Sequence, residues 1–489
     1  MTPDSARLYH PPHVLTTTAA IVLAAGQGTR MRSRLPKVLH SVAGRPMIDH
    51  VLDALNRAGI DQPVVVTGHG AQQVEAALAG RVPTARQDPQ CGTADAVRVG
   101  LERIPAGASQ ILVTMGDVPM LPPAQLTALV AEREAAGAAI ALLAARMAEP
   151  AGYGRIVRSA DGSLREIVEE ADTDPATRQI DEVNAGTYCF DAEWLRANLG
   201  RVGPSAGGEY YLTDLIGMAI ADGRRVAVLV APDPELTLGI NDRVALSVVE
   251  ERLRRQIVEQ HMRNGVTIVD PATTRIDAAV EIGQDARIEP WTILEGATVV
   301  AQDAVIGPHA HLRDSRVGPR TQIWRSVLEE TSVAEDVEIG PFAHLRPGSE
   351  IGARCRIGNF AEVKRSRIGA GTQQHHFSYV GDAEVGEQVN IGAGVVTVNY
   401  DGSAKHRTKI GDEAFIGSDS MLVAPITIGE GAMTGAGSVV TRDVAPGKRV
   451  VGVPARPIEL RRRRGASGTT PAAGSGLPEA PVPSGDRNP

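Results

Sequence analysis

The chain has 489 residues, 50 Lys+Arg against 58 Asp+Glu and a formal charge of -8, so there is room for two or three domains and the acidic balance argues against a nucleic-acid partner. Cys91, Cys189 and Cys355 are too few and too dispersed for a disulfide framework or a zinc site, which points to a reducing, cytoplasmic setting. No apolar run reaches the roughly 20 residues that a membrane span needs.

Residues 1–18, rich in Pro, His and Thr, read as a disordered leader. Ala20-Ile21-Val22-Leu23-Ala24-Ala25 then reads as a buried strand feeding directly into Gly26-Gln27-Gly28-Thr29-Arg30-Met31. No basic region precedes the apolar run and a glycine loop follows it, which argues against a signal peptide. A strand that delivers Gly-x-Gly into a loop presents backbone N–H groups to an anion. The third Rossmann glycine is missing, with Met31 in its place, and the Walker pattern is absent. Arg30 and Lys37 add two cations beside the loop, as transfer onto a polyphosphate requires.

Over residues 19–242, apolar strands (64–66, 111–115, 140–143, 226–230) alternate with helical segments such as 47–58 and 71–78, the pattern of an α/β domain with a largely parallel, Rossmann-like sheet. Residues 243–265 hold a polar-rich amphipathic helix, Val244 to Met262, with Glu250/Arg254 and Glu251/Arg255 at i,i+4 and a stop at Asn264-Gly265; it reads as a linker.

From 266 to 457 a small aliphatic residue returns at every sixth position: Ile282, Ile288, Leu294, Val300, Ile306 and Leu312, then Val327 through Val363, then Ile410 to Ile428. Period six is neither helical nor that of a sheet meander; it predicts a parallel β-helix with three hexads per coil. Gly often follows the aliphatic residue, as tight corners require. Between Val363 and Ile410 the rhythm slips, and the slip gathers His375-His376, Tyr379, Asn390, Asn399-Tyr400 and Lys405. In a chain only 3% aromatic, such a group off-register reads as a substrate site. Residues 458–489, opening on Arg461 to Arg464, read as a disordered tail.

The first loop, Leu23-Ala24-Ala25-Gly26-x-Gly28-Thr29-Arg30-Met31 with Leu35-Pro36-Lys37, resembles that of the sugar-phosphate nucleotidylyltransferases. The resemblance implies a UTP/UDP-sugar site made by Leu23, Ala24, Ala25, Gly26, Arg30 and Lys37. It assigns base recognition to Gln87, Gly92 and Thr93, and further contacts to Met115, Gly116, Gly154, Glu169 and Asn184. Asp117 and Asn241 are implied as the Mg²⁺ ligands, a set that suits a cation keeping open positions for substrate phosphates.

Across about residues 19–457 the chain resembles the bacterial bifunctional family that joins an N-acetylglucosamine-1-phosphate uridylyltransferase to a glucosamine-1-phosphate N-acetyltransferase. The resemblance implies a left-handed β-helix, a homotrimer, and UTP and acetyl-CoA as co-substrates. His376 is then the general base and Glu362 its orienting partner; Arg346, Lys364, Tyr379 and Asn390 hold glucosamine-1-phosphate, with added charge from Lys405. Ala393, Asn399, Tyr400, Ser418 and Ala436 are acetyl-CoA contacts. His375 is the rival to His376, and alternation along an extended strand lets only one of the two face the site. The alternative is a single-activity nucleotidylyltransferase with a structural or regulatory β-helix. Three departures stand out: Met115 where the family often has Tyr, Ala94-Asp95 in place of Gly-His, and no evident coenzyme A arginine near Gly452, with Arg449 and Arg456 as substitutes. The first two leave relaxed base choice open.

Overall fold

The structure is a computed structural model describing residues 17–205 and 207–453. The expected tail, Arg456 and all but the last two residues of the expected leader lie outside the described residues.

Thr18–Ala24 is an interior strand of the first sheet, parallel to Val64–Thr67 on one side and Gln110–Met115 on the other. The strand order is Val226–Val230, Ile140–Arg146, Glu182–Asp191, Gln110–Met115, Thr18–Ala24, Val64–Thr67, Thr84–Arg86. Helices cover both faces, which is why the central strands are apolar runs rather than alternating ones: Ile21, Val66, Val113 and Leu142 are wholly buried. Glu182–Asp191 alone runs antiparallel to its two long neighbours, and its pairing with Ile140–Arg146 shifts register between Asn184 and Tyr188. That bulge re-aims Asn184-Ala185-Gly186, with Gly186 at φ 70°, a conformation glycine takes without a Cβ penalty.

The helix Arg243–Arg263 starts at Asp242, whose carboxylate accepts from the backbone N–H groups of Val244 and Ala245 at 2.9 Å. Glu250 pairs with Arg254 and Glu251 with Arg255. The helix ties the two halves together: Glu250 accepts from Ala43 N–H at 2.7 Å, Arg254 reaches Asp277 at 3.2 Å, and Val249 packs with Met31, Val42 and Met47.

Beyond it, three parallel sheets of 11, 10 and 9 short strands stack, each strand pairing with the third one after it until the last turn, where Met433–Thr434 pairs with Arg449–Val450. This is the β-helix that the hexad period predicts, and its inward aliphatics form one continuous core. Replacing an inward Ile or Leu by Ala removes a ladder rung at a cost of about 2–5 kcal/mol.

Three sequence expectations need correction. The inward residue near 327 is Leu328, while Val327 is exposed, because short coils advance the phase by one residue. The ladder also does not break from 364 to 405: Ile368, Gln374, Val380, Val385, Ile391 and Thr397 continue it. Two of those rungs are polar, which hides them from a search for aliphatics, and the true insertion is the short loop around the Tyr400–Lys405 bridge. Lastly, the glycines after inward residues mostly serve close coil stacking rather than a left-handed turn. A Cβ on Gly358 would lie 1.9 Å from His375 O, whereas the left-handed corner positions are filled by residues such as Asp285, Phe342 and Phe360.

Candidate active sites

The first site is a cavity of about 670 Å³ at the carboxyl ends of the parallel strands. Leu23, Ala24, Ala25, Gly26, Arg30, Lys37, Gln87, Gly92, Thr93, Met115, Asp117, Gly154, Glu169, Asn184 and Asn241 all line it. Gly116 does not; its N–H donates to Leu23 O at 2.9 Å and holds two strand ends together. Gly28 is needed twice over, by its φ of 60° and because a Cβ there would stand 2.8 Å from Lys37 Cβ. Lys37 thereby folds back across the loop. Its ammonium pairs with Asp117 and donates to Asn241 Oδ1 at 3.2 Å. Asp117 and Asn241 thus converge on one cationic centre, the arrangement expected of two oxygen ligands to a small divalent ion. The 239–241 segment is fixed there by Ile240 N–H donating to Asp117 O at 3.0 Å.

On the opposite wall, burial pushes the Glu169 carboxyl above its ordinary pKa although Thr213 donates to it at 2.8 Å. Asn184 donates to Tyr188 Oη at 2.6 Å. Glu209, Tyr211 and Thr213 also line the cavity and went unnoticed in the sequence; an aromatic pair following Gly207-Gly208 in an aromatic-poor chain was the available signal. Arg155, next to Gly154, is buried and paired with Glu170 at 2.8 Å.

The second site lies on one sheet of the β-helix and on the corner that leads into it. Register places His344, Glu362 and Tyr379 side by side in successive coils. Arg346 donates to Glu362 at 2.8 Å, so within the chain Glu362 meets Arg346, and no Glu362–His376 hydrogen bond forms. Arg346 and Lys405 crowd Lys364 and lower its pKa, Arg346 most strongly. Three cations this close, with one carboxylate among them, form a site for an anion. Asn399 donates to Asp382 and, at 3.4 Å, to Tyr379 Oη. Tyr400 and Lys405 sit in the inserted loop, pinned by Asp401. Hydrogen bonds from Ala404 N–H, His406 and Ser403 hold the Asp401 carboxyl far below the usual carboxylate range.

His375 and His376 lie in a bend after the strand Gln373–Gln374, so strand alternation does not separate them. Their partners do: His375 Nε2 is hydrogen-bonded to Gln373 Oε1 at 2.8 Å, while the exposed His376 ring has no such partner among the described residues. Gln374, Ile391, Ile416 and Thr434 are ladder partners, so His376, Ala393, Ser418 and Ala436 occupy the same corner position in four successive coils. His376 therefore stands at the foot of a column of small residues. Asn390 is on the adjoining sheet beside Gln373, across that corner from Tyr379. Arg449 is exposed on the last strand of its sheet.

Comparison with known proteins agrees with this division. Residues 20–183 match a MobA-like NTP transferase domain, and residues 330–365 and 407–442 match the bacterial transferase hexapeptide (six repeats). A curated relative from Geobacillus thermodenitrificans, a bifunctional protein GlmU, is 48% identical over 88% of this chain and 94% of its own length. Those from Trichlorobacter lovleyi (46%; 88% and 95%) and Thermobifida fusca (46%; 93% and 96%) carry the same name. With both halves matched in one order along nearly the whole of these relatives, the chain belongs to the family of the bifunctional protein GlmU.

Proposed function

We propose that this chain catalyses two successive reactions: acetyl transfer from acetyl-CoA to glucosamine-1-phosphate, then uridylyl transfer from UTP to the product, giving UDP-N-acetylglucosamine and pyrophosphate. The observation that carries this is the coexistence in one chain of the cation-lined nucleotide cavity and the Arg346–Lys364–Lys405 cluster beside the His376 corner. A single-activity enzyme has no use for the second set. We assign the first activity site to 19–242, the linker to 243–265 and the second to 266–457.

In the α/β half, the Gly26 to Gly28 loop and Arg30 and Lys37 bind the triphosphate and meet charge that builds on the leaving pyrophosphate. The sugar phosphate, held by Glu169 and Asn184, attacks the α-phosphorus in line; no protein nucleophile is required. Asp117 and Asn241 would hold Mg²⁺, which when bound supplies charge neutralisation at the polyphosphate. In the β-helix, Arg346, Lys364 and Lys405 anchor the sugar phosphate. His376 takes a proton as the amine attacks the thioester carbonyl; the C–N bond forms, the C–S bond breaks and coenzyme A leaves as the thiol. The small-residue column Ala393, Ser418, Ala436 lets the cofactor lie along the coils, with Asn399 and Tyr400 beside it.

The β-helix also supports a homotrimer. Four of the five phenylalanines are exposed on it, and Trp291, His309, Phe342, Phe360 and Phe377 recur at the His376 corner, Phe342 stacking on Phe360 at 5.3 Å. Such a column is a subunit contact in an otherwise polar surface. Among the described residues no helix is long and apolar enough to cross a membrane, and the three cysteines are free, which fits a cytoplasmic enzyme.

The test is a pair of assays on wild type, His376→Ala and Asp117→Ala: thiol release with glucosamine-1-phosphate, and pyrophosphate release with N-acetylglucosamine-1-phosphate. Each substitution should abolish one activity and leave the other. Acetylation surviving in His376→Ala would remove the base assignment.

A further inference from the structure

Gln374 is an anomaly in its column. The other inward residues of that sheet, from Ile268 to Val450, are Ile, Thr or Val; Gln374 alone is an amide, with no exposure. Its Oε1 is buried without a partner. A buried, half-satisfied amide weakens a hydrophobic stack that an aliphatic residue would fill.

Its Nε2 does have a partner. It donates to Ser378 Oγ at 2.9 Å, and Ser378 Oγ in turn donates to His376 O at 2.9 Å. Gln374 is the last residue before the corner and Ser378 the first after it, so the two side chains staple the corner from inside the coil. Elsewhere the serine hydroxyl takes its donor from the backbone of the next coil: Ser326 donates to Trp324 O at 2.8 Å and accepts from Ala343 N–H at 3.2 Å, with Ile323 as the inward residue below. At the His376 corner the Gln374 amide takes the place of that backbone donor; it fixes the hydroxyl rotor and leaves its proton only the His376 carbonyl to bind. The corner is also held to the preceding coil, since Gly358 N–H donates to Gln374 O at 2.8 Å.

We propose that Gln374, acting through Ser378, is a positioning residue for the acetyl-transfer site: its amide holds the His376 backbone in place, at the expense of the core. This rests on His376 being the base. The structure then carries two opposite consequences. Gln374→Leu restores an aliphatic rung, and its melting temperature stays level or rises; yet its kcat for acetyl transfer falls about tenfold with KM for both substrates near wild type, and uridylyl transfer is unchanged.

The experiment compares the full-length wild type with Gln374→Leu, Ser378→Ala, Ser378→Thr, the double variant Gln374→Leu/Ser378→Ala and His376→Ala, by steady-state kinetics of both reactions and by thermal unfolding. If the two side chains act in series, the double variant is no slower than Ser378→Ala, and Ser378→Thr, which keeps the hydroxyl, retains wild-type kcat. Wild-type kcat in Gln374→Leu, or a lowered melting temperature with both activities falling together, overturns the proposal. Acetylation intact in His376→Ala overturns the base assignment instead, so the two failures are told apart.

Discussion

The carboxamide of Gln87 is locked by Asp95. Gln87 Nε2 donates to Asp95 Oδ2 at 2.8 Å and to Gly92 O at 2.9 Å, and Arg98 occupies the other Asp95 oxygen at 2.6 Å. Both partners of the amide nitrogen are obligate acceptors, so the group has one orientation, and only its carbonyl is free to read a ligand. The sequence left relaxed base choice open at Ala94-Asp95; this geometry favours a sharper one. A fixed acceptor suits the N3–H of uracil and opposes the N3 lone pair of cytosine. Asp95→Ala frees the amide to rotate, and the ratio of kcat/KM for UTP over CTP should fall about tenfold, the worth of one hydrogen bond. An unchanged ratio would show that Gln87 is not the reader.

Lys37 occupies the point on which Asp117 and Asn241 converge. A divalent cation must displace it, so Lys37→Met should bind Mn²⁺ more tightly in the absence of nucleotide, by roughly fivefold for a partly screened pair. Titration calorimetry without substrate reads this directly. The same variant should release pyrophosphate more slowly, because the phosphates lose a cation. Weaker Mn²⁺ binding would place the ion elsewhere.

How much of this was legible beforehand depends on the kind of contact. The nucleotide loop could be read because glycine, arginine and lysine at fixed spacing act on the ligand through local backbone geometry. The hexad phase could be read where full hexads carried aliphatic rungs, and was lost where short coils shifted it at Leu328 and where Gln374 and Thr397 took the rung positions. Glu209, Tyr211 and Thr213 reach the cavity through the packing of distant segments, so the aromatic pair after Gly207-Gly208 marks the stretch without telling what it lines. The Arg346–Glu362 pair depends on which coil stacks on which, and coils of unequal length make that register uncertain until the fold is known.

Gly381 is the space in which the Tyr379 ring rests: a Cβ there would lie 2.3 Å from the Tyr379 hydroxyl oxygen. Gly381→Ala should expel the ring from its position beside Asn399 while the strand, buried in the ladder, keeps its register. We expect KM for glucosamine-1-phosphate to rise about tenfold, with pyrophosphate release from UTP untouched. Equal loss of both activities would instead indicate general unfolding.

Lys364 provides a pH signature. Arg346 and Lys405 beside it lower its pKa, so it surrenders its proton at lower pH than an ordinary lysine, near 10.4. The sugar phosphate is held by the ammonium form. Affinity is therefore full on the acid side of the lowered pKa and is lost as pH rises through it. Bound phosphate pulls the pKa back up, so the limb seen in kcat/KM, which reports the free enzyme, lies below the one seen in kcat. Lys364→Arg keeps its charge beyond about pH 12 and should carry the alkaline limb out of range, at some loss of fit. The acid limb, which does not depend on Lys364, should stay in place. Measuring kcat/KM for acetyl transfer from about pH 6 to about pH 10 in both proteins separates the two limbs. An alkaline limb that survives Lys364→Arg would show that Lys364 does not set it.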